Sequence, residues 1–210
     1  GTLSGKLAYE TKKTLDYPLV GDWVELDRDT DREGDAVILS LKPRTTLLQR
    51  TQAGTSGNTQ GIAANVDILF ICMSLNHDFN RRRLERYLAV SYGCNIRPVV
   101  LLTKADLTEE KELYQIEIEK DHPGVEVYLS SSFTGDGLLQ IRELIHREKT
   151  VAFVGSSGVG KSTIINELLG KKAMETAEIR QDDARGRHTT TYRQLFVLED
   201  GGAVIDSPGI

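Results

Sequence analysis

The sequence predicts an α/β protein, a largely parallel sheet covered by helices on both faces, with a small all-β barrel ahead of it. Three observations predict this. From Val66 onward, apolar β-rich runs alternate with amphipathic segments of helix length, the pattern of strand–helix–strand units. Residues 1–62 hold only short β-rich runs divided by Gly/Asp-rich turns, which suits a small barrel. A glycine-rich loop, "GSSGVGKST", stands between an apolar strand and a helix.

Each element follows in order. "DWVELD", "DAVILSL" and "TTLLQRT" read as barrel strands, with "DTDREGD" as a turn between them. No helix-length periodic segment occurs there, and about five strands would close a barrel of the kind that binds nucleic acid. "QAGTSGNTQG" (52–61) reads as a polar loop or linker, so the expected units are 1–62 and 63–210. "DILFICMSL", "RPVVLLT", "VEVYLSS" and "KTVAFVG" are then buried strands. "NRRRLERYLAVSYGC", "EEKELYQIEIEKD", "GLLQIRELIHRE" and "KSTIINELLG" are the helices between and after them, and "RQLFVLED" and "GGAVIDSPG" form a final strand pair. A sheet of this type normally runs on into another helix, so the chain is expected to be cut short at Ile210.

Composition narrows the class. The 210 residues are 39% hydrophobic and 27% charged, a globular balance. "VDILFICMSL" is interrupted by Asp67 and too short to span a bilayer, so no membrane role is expected. Cys72 and Cys94 are the two cysteines; they make no disulfide framework, and a reducing, cytoplasmic setting fits. A net charge of −5 excludes a uniformly basic nucleic-acid binder and leaves room for a local basic patch.

The chemistry lies in five short elements. Gly155 to Ser162 match G-x-x-x-x-G-K-[ST]. The glycines let the main chain wrap phosphates, and successive N–H groups of Gly155, Ser156, Ser157, Gly158, Val159, Gly160, Lys161, Ser162 and Thr163 form an anion nest at a helix N-terminus. Lys161 reaches the β- and γ-phosphates, and the Ser162 hydroxyl binds Mg²⁺. "TKAD" (103–106) is a variant of the guanine-selecting Asn-Lys-x-Asp. Asp106 accepts from guanine N1–H and the exocyclic amine, a donor pair adenine lacks, and Lys104 lays its stem over the base. Thr103 stands where Asn is usual, so a weaker bridge to the phosphate loop is expected. In "SSFTGDGL" (131–138), Ser131 orders the loop and the Ser132 N–H approaches guanine O6. "VIDSPG" ends a strand in Asp-x-x-Gly, where Asp206 holds Mg²⁺ through water and the Gly209 N–H touches the γ-phosphate. In "RGRHTTTYR" (185–193), one of Thr189, Thr190 and Thr191 supplies a further Mg²⁺ ligand; Thr190 is preferred and the choice stays open. The base-reading element precedes the phosphate loop, so this is the usual cyclic order of a GTPase cut at a different place: a circularly permuted P-loop GTPase domain.

This order, together with "GSSGVGKST", "GRHTTT", "DSPG", the upstream "IAANVD" and the β-rich front, resembles the ribosome small-subunit-dependent GTPase A (RsgA) family over nearly the whole chain. The resemblance implies an N-terminal OB-fold, a permuted GTPase domain and a C-terminal zinc module. It also implies GTP/GDP and Mg²⁺ as ligands, and a role in late maturation of the small ribosomal subunit, which stimulates hydrolysis. Zn²⁺ belongs to that C-terminal module, and no residue of this sequence is assigned to it. The partners expected are the small subunit and its rRNA, with the protein acting as a monomer. Lys42, Arg44 and Arg50 in the barrel are candidate rRNA-backbone contacts, and "RRR" at 81–83 reads as a solvated helix face. Ile210 stands where many GTPases place a water-orienting Gln. His188 is the local replacement for it, and Arg185 and Arg187 are candidates for transition-state charge or rRNA phosphate. The expected catalytic set is Lys161, His188 and Thr190. Two rival readings differ in class: a nucleotide-dependent RNA-binding scaffold with negligible hydrolysis, and a P-loop kinase or ATPase.

Overall fold

A computed structural model describes residues 2–11, 14–28, 35–51, 59–76, 78–146, 148–170 and 193–206. Its centre is a six-stranded sheet. The strands are β6 (Ile68–Ser74), β7 (Arg97–Thr103), β8 (Glu126–Leu129), β9 (Thr150–Val154), β10 (Gln194–Val197) and β11 (Ala203–Asp206), in the spatial order β10-β11-β9-β6-β7-β8. All neighbours pair in parallel except β10 with β11.

The sheet forms where the sequence has unbroken apolar runs. Every residue of β6 is buried, as a strand covered on both faces must be. One face carries Leu69, Ile71 and Met73, packed with α2 (Arg81–Gly93). The other carries Phe70 and Cys72, packed with α4 (Leu138–Ile145) and α5 (Lys161–Leu168). Phe70 stacks on Phe153 with ring centroids 4.9 Å apart. Helix α2 starts where the Asn80 side chain accepts from the Arg83 N–H at 3.0 Å, a side-chain N-cap. It buries Leu84, Tyr87, Leu88 and Ser91, one face at helical spacing. It ends at a turn in which Asn95 has φ +54°. Helix α3 (Lys111–Asp121) is largely solvated and buries only Ile118.

The N-terminal part departs from the expected barrel. Among the described residues its strands form two small sheets and no closed barrel. One has the order β1-β3-β2, from β1 (Thr2–Leu3), β2 (Val24–Leu26) and β3 (Val37–Leu41). The other pairs β4 (Leu47–Thr51) with β5 (Thr59–Ala64). A short helix, α1 (Gly5–Glu10), also occurs, capped by Ser4, whose Oγ accepts from the Leu7 N–H at 3.2 Å. The expected linker 52–61 is shorter than read, because β5 already begins at Thr59; main-chain pairing with β4 makes a strand of a polar, glycine-bearing run. Leu48, Ile62 and Ala63 join the same apolar cluster as Ile71 and Leu84, so the core runs on from this hairpin into the parallel sheet.

Arg44, read as an RNA contact, is occupied inside the fold. Its Nε and Nη2 donate to Asp22 at 2.8 and 2.7 Å, its Nη1 to the Leu15 carbonyl and its Nη2 also to the Tyr17 carbonyl. Arg50 donates to Gln60. Of the arginines at 81–83, Arg81 pairs with Glu117 and Asp121 of α3, and Arg83 pairs with Asp78 at 2.9 Å.

Candidate nucleotide site

The site lies at the C-terminal ends of the parallel strands, where this architecture collects loops and helix N-termini. β9 and β7 flank β6. The loop after β9 and the turn after β7 therefore face each other across one strand, although they lie far apart in sequence.

The phosphate-loop sequence leaves β9 at Gly155 and enters α5 at Lys161. Gly155 has φ +152°, and a Cβ there would lie 2.6 Å from the Cys72 carbonyl oxygen, so the loop crosses β6 too closely for any side chain. Val159 is buried in the apolar core under the loop; of the predicted contacts it offers main chain only. Lys161 donates to the carbonyls of Gly155 and Ser156, both at 2.8 Å. Burial pulls its pKa below the usual lysine range, while Cys72 and Asp206 push it back up. The Cys72 thiol is itself pushed up to about 12, chiefly by burial. Ser162 and Thr163 occupy the first turn of α5. Asp206 ends β11, in register with Phe153 of β9, which sets its carboxylate beside the same loop.

On the other side, Thr103 ends β7 and Lys104 turns the chain with φ +56°. Thr103 makes the tie across β6. Its buried hydroxyl donates to the Val159 carbonyl at 2.6 Å, so the bridge to the phosphate loop exists despite the shorter side chain. Asp106 accepts from the Ser131 hydroxyl at 2.5 Å. The Ser131 Oγ in turn accepts from the N–H groups of Phe133 and Thr134, each at 3.2 Å. The Ala105 N–H donates to the Ser130 carbonyl at 3.1 Å, joining the two loops by main chain as well. Gly137, φ +81°, opens α4; a Cβ there would lie 2.1 Å from the Leu129 carbonyl oxygen.

These pieces enclose one pocket of about 200 Å³, lined among others by Thr103, Lys104, Asp106, Ser132, Gly160 and Thr163. Three separate sequence elements thus meet around one volume. The Ser130 hydroxyl lines the same pocket, buried and with no hydrogen-bond partner among the described residues. A buried hydroxyl in that position fits a polar ligand.

Sequence reading missed three residues. Ser130 and Phe133 line the pocket; each sits inside or beside the quoted loop, and only the fold shows which way it faces. Asp78, in the polar stretch after β6, accepts from the Ser156 hydroxyl at 2.6 Å and from Arg83 at 2.9 Å. These bonds, the Arg83 one foremost, hold its carboxyl below the usual range. It ties the phosphate loop to the start of α2. Arg185, Arg187, His188, Thr189, Thr190, Thr191, Gly209 and Ile210 lie outside the described residues. Among the described residues, no group of three or more His, Cys, Asp or Glu could hold a metal ion, and no helix is long and apolar enough to cross a membrane.

The family model for the RsgA GTPase matches residues 41–210. This chain belongs to the RsgA GTPase family. Over 208 residues, 99% of its length, it is 46% identical to the small ribosomal subunit biogenesis GTPase RsgA 2 of Lactiplantibacillus plantarum. Over 193 residues, 92% of its length, it is 46% identical to the RsgA of Methanosarcina acetivorans. The chain spans 58% and 52% of those two RsgA proteins. Among solved structures it is similar to YjeQ from Thermotoga maritima, with a TM-score of 0.69 and 26% identity over 99% of this chain and 65% of that one. It is also similar to YloQ, described as a circularly permuted GTPase, with a TM-score of 0.63 and 26% identity over 99% of this chain and 62% of that one. In this chain the turn after β7 comes before the loop after β9 in sequence and lies beside it in space.

Proposed function

We propose that this chain binds GTP and GDP, hydrolyses GTP, and acts in late maturation of the small ribosomal subunit, which stimulates the hydrolysis. The observation that carries this reading is the single pocket shared by Asp106, Ser132 and the start of α5, with Asp106 held in place by Ser131. Membership of the RsgA GTPase family and the names of its relatives supply the ribosomal context.

In this reading Asp106 takes both guanine donors, Lys104 covers the base, and the Ser132 N–H meets the O6. Main-chain N–H groups of residues 155–163 and the Lys161 ammonium hold the phosphates. Ser162 and Asp206 would hold Mg²⁺, with Thr190 and the main chain of Gly209 completing the γ-phosphate side. The metal would neutralise charge on the β- and γ-oxygens. His188 orients the attacking water in place of the missing Gln. We assign residues 63–210 to the permuted GTPase domain and 1–62 to an OB-fold-related unit that meets rRNA. There Lys42 and Arg50 stay as candidate contacts, and Arg44, committed to Asp22, does not. Zinc is assigned to no residue of this chain, and a monomeric, cytoplasmic protein suits the role.

The test is GTP turnover by the purified chain across a titration of small ribosomal subunits, with GDP affinity measured by calorimetry for the wild type and Asp106→Asn. Slow turnover alone, faster turnover with small subunits, and a loss of about 2–4 kcal/mol in GDP binding by Asp106→Asn are expected. A wild-type chain that binds adenine and guanine nucleotides equally, or that large subunits stimulate as well as small ones, overturns the proposal.

A further inference from the structure

We propose that Phe133 packs its ring against the base of a bound guanine nucleotide, adding affinity that does not depend on which purine is bound. This rests on the guanine-nucleotide reading above and gives a role to a residue that the motif reading left without one.

Phe133 is the most exposed large apolar side chain among the described residues, at 90%. An aromatic ring held in water at a loop tip forgoes the gain that burial gives. The ring is not on a loose loop. The Phe133 N–H donates to the Ser131 Oγ, the same atom that donates to Asp106, and the Ser131 N–H is bonded to the Asp136 carbonyl at 3.1 Å. One serine therefore fixes both the carboxylate and the start of the ring's residue. Phe133 lines the pocket beside Lys104, Asp106 and Ser132, so a base that meets Asp106 with its edge comes within reach of the ring with its face. Asp106 reads hydrogen-bond donors on the edge, which differ between purines. A ring reads the π face, which every purine has.

The two contributions separate by experiment. GDP and IDP affinities are measured by calorimetry for the intact chain, Phe133→Ala, Phe133→Trp and Asp106→Asn. Phe133→Ala should weaken both nucleotides by the same factor, roughly 5- to 100-fold, the range that base–aromatic stacking supplies. Phe133→Trp should restore both. Asp106→Asn should instead change the ratio between the two, because IDP lacks the exocyclic amine. Unchanged affinity in Phe133→Ala overturns the proposal, as does a loss confined to GDP or a failure of Trp to restore binding. Retained nucleotide affinity with lost stimulation by small subunits also overturns it and makes Phe133 a docking residue. A wild-type chain that binds no guanine nucleotide at all removes the functional reading itself, an outcome distinct from all of these.

Discussion

The N-terminal strands and the six-stranded sheet are held together by different forces. In the sheet, β6 is buried from Ile68 to Ser74 and the Phe70–Phe153 stack lies at its centre. Before β5, the one fully buried apolar side chain among the described residues is Leu48. The residues of β2 and β3 are all partly solvated. That region is tied instead by directed polar bonds, among them the Arg44 fork, which joins Asp22 to the carbonyls of Leu15 and Tyr17, and the Asn65 amide on the Gly21 carbonyl. Apolar burial is non-directional. A buried guanidinium fork requires its partners at set angles. The sheet therefore rests on apolar burial, and the N-terminal region leans more on directed polar ties.

The comparison breaks most readily in the sheet. Phe153→Ala removes a fully buried ring one residue before the strand gives way to the phosphate loop, and should cost about 3–5 kcal/mol in urea unfolding. Leu39→Ala in β3, where the side chain is 44% exposed, should change stability by less than about 0.5 kcal/mol. Equal losses would mean the two regions are not built differently. Cys72 serves as a reporter, since its buried thiol, with a pKa of about 12, meets a thiol reagent only when the sheet opens. Its labelling should speed up in Phe153→Ala.

Arg44→Met keeps the apolar stem and removes the guanidinium, leaving the enclosed Asp22 carboxylate without its counter-charge and with the Leu19 N–H as its remaining donor. A loss of about 2–3 kcal/mol is expected, somewhat below that of a fully enclosed pair because Arg44 keeps some contact with solvent. Trp23, the single tryptophan, reports on this region. Its fluorescence transition should move to lower urea while Cys72 protection stays at the wild-type level. If both probes shift together, the N-terminal unit and the sheet unfold as one body. A smaller loss than that of Arg44→Met belongs to a polar tie inside the sheet-borne site. Thr103→Val leaves the Val159 carbonyl without its donor and should cost about 1 kcal/mol, with Thr103→Ser restoring it. No change in Thr103→Val would mean that core packing around Val159 alone positions the loop.

The same contrast explains what could be read from the sequence. Runs such as "DILFICMSL" and "RPVVLLT" are apolar on both faces, which is possible only for covered strands, so the sheet was legible. α1 spans six residues, too few for a helical period to show. The start of β5 is polar and contains Gly61, and only its pairing with β4 makes it a strand. Closure into a barrel was inferred from strand count, and count carries no pairing. In the site, the motifs were legible as particular groups at fixed spacing, and the fold brings three of them to one pocket. That the Thr103 hydroxyl lands on the Val159 carbonyl was not legible, because it depends on how near β7 and the loop before α5 approach across β6. Asp78 was missed for the same reason: its partner Ser156 is on a distant loop.

The place of β6 in the sheet has a consequence for the order of synthesis. β6, β7 and β8 are successive in the chain and adjacent in space, and Asp106 with its Ser131 partner belongs wholly to that portion. Chains emerge N-terminus first and fold in units as they do so. The corner that joins Asp106 to Ser131 can therefore be wired before the glycine-rich loop at 155–163 has been translated. Until β9 arrives, the free edge of β6 is an open strand of apolar side chains, the kind of surface that nascent proteins must shield. β9 then docks along that edge, bringing Gly155 over Cys72 and handing Thr103 its acceptor. Completion of the cleft coincides with closure of the exposed edge.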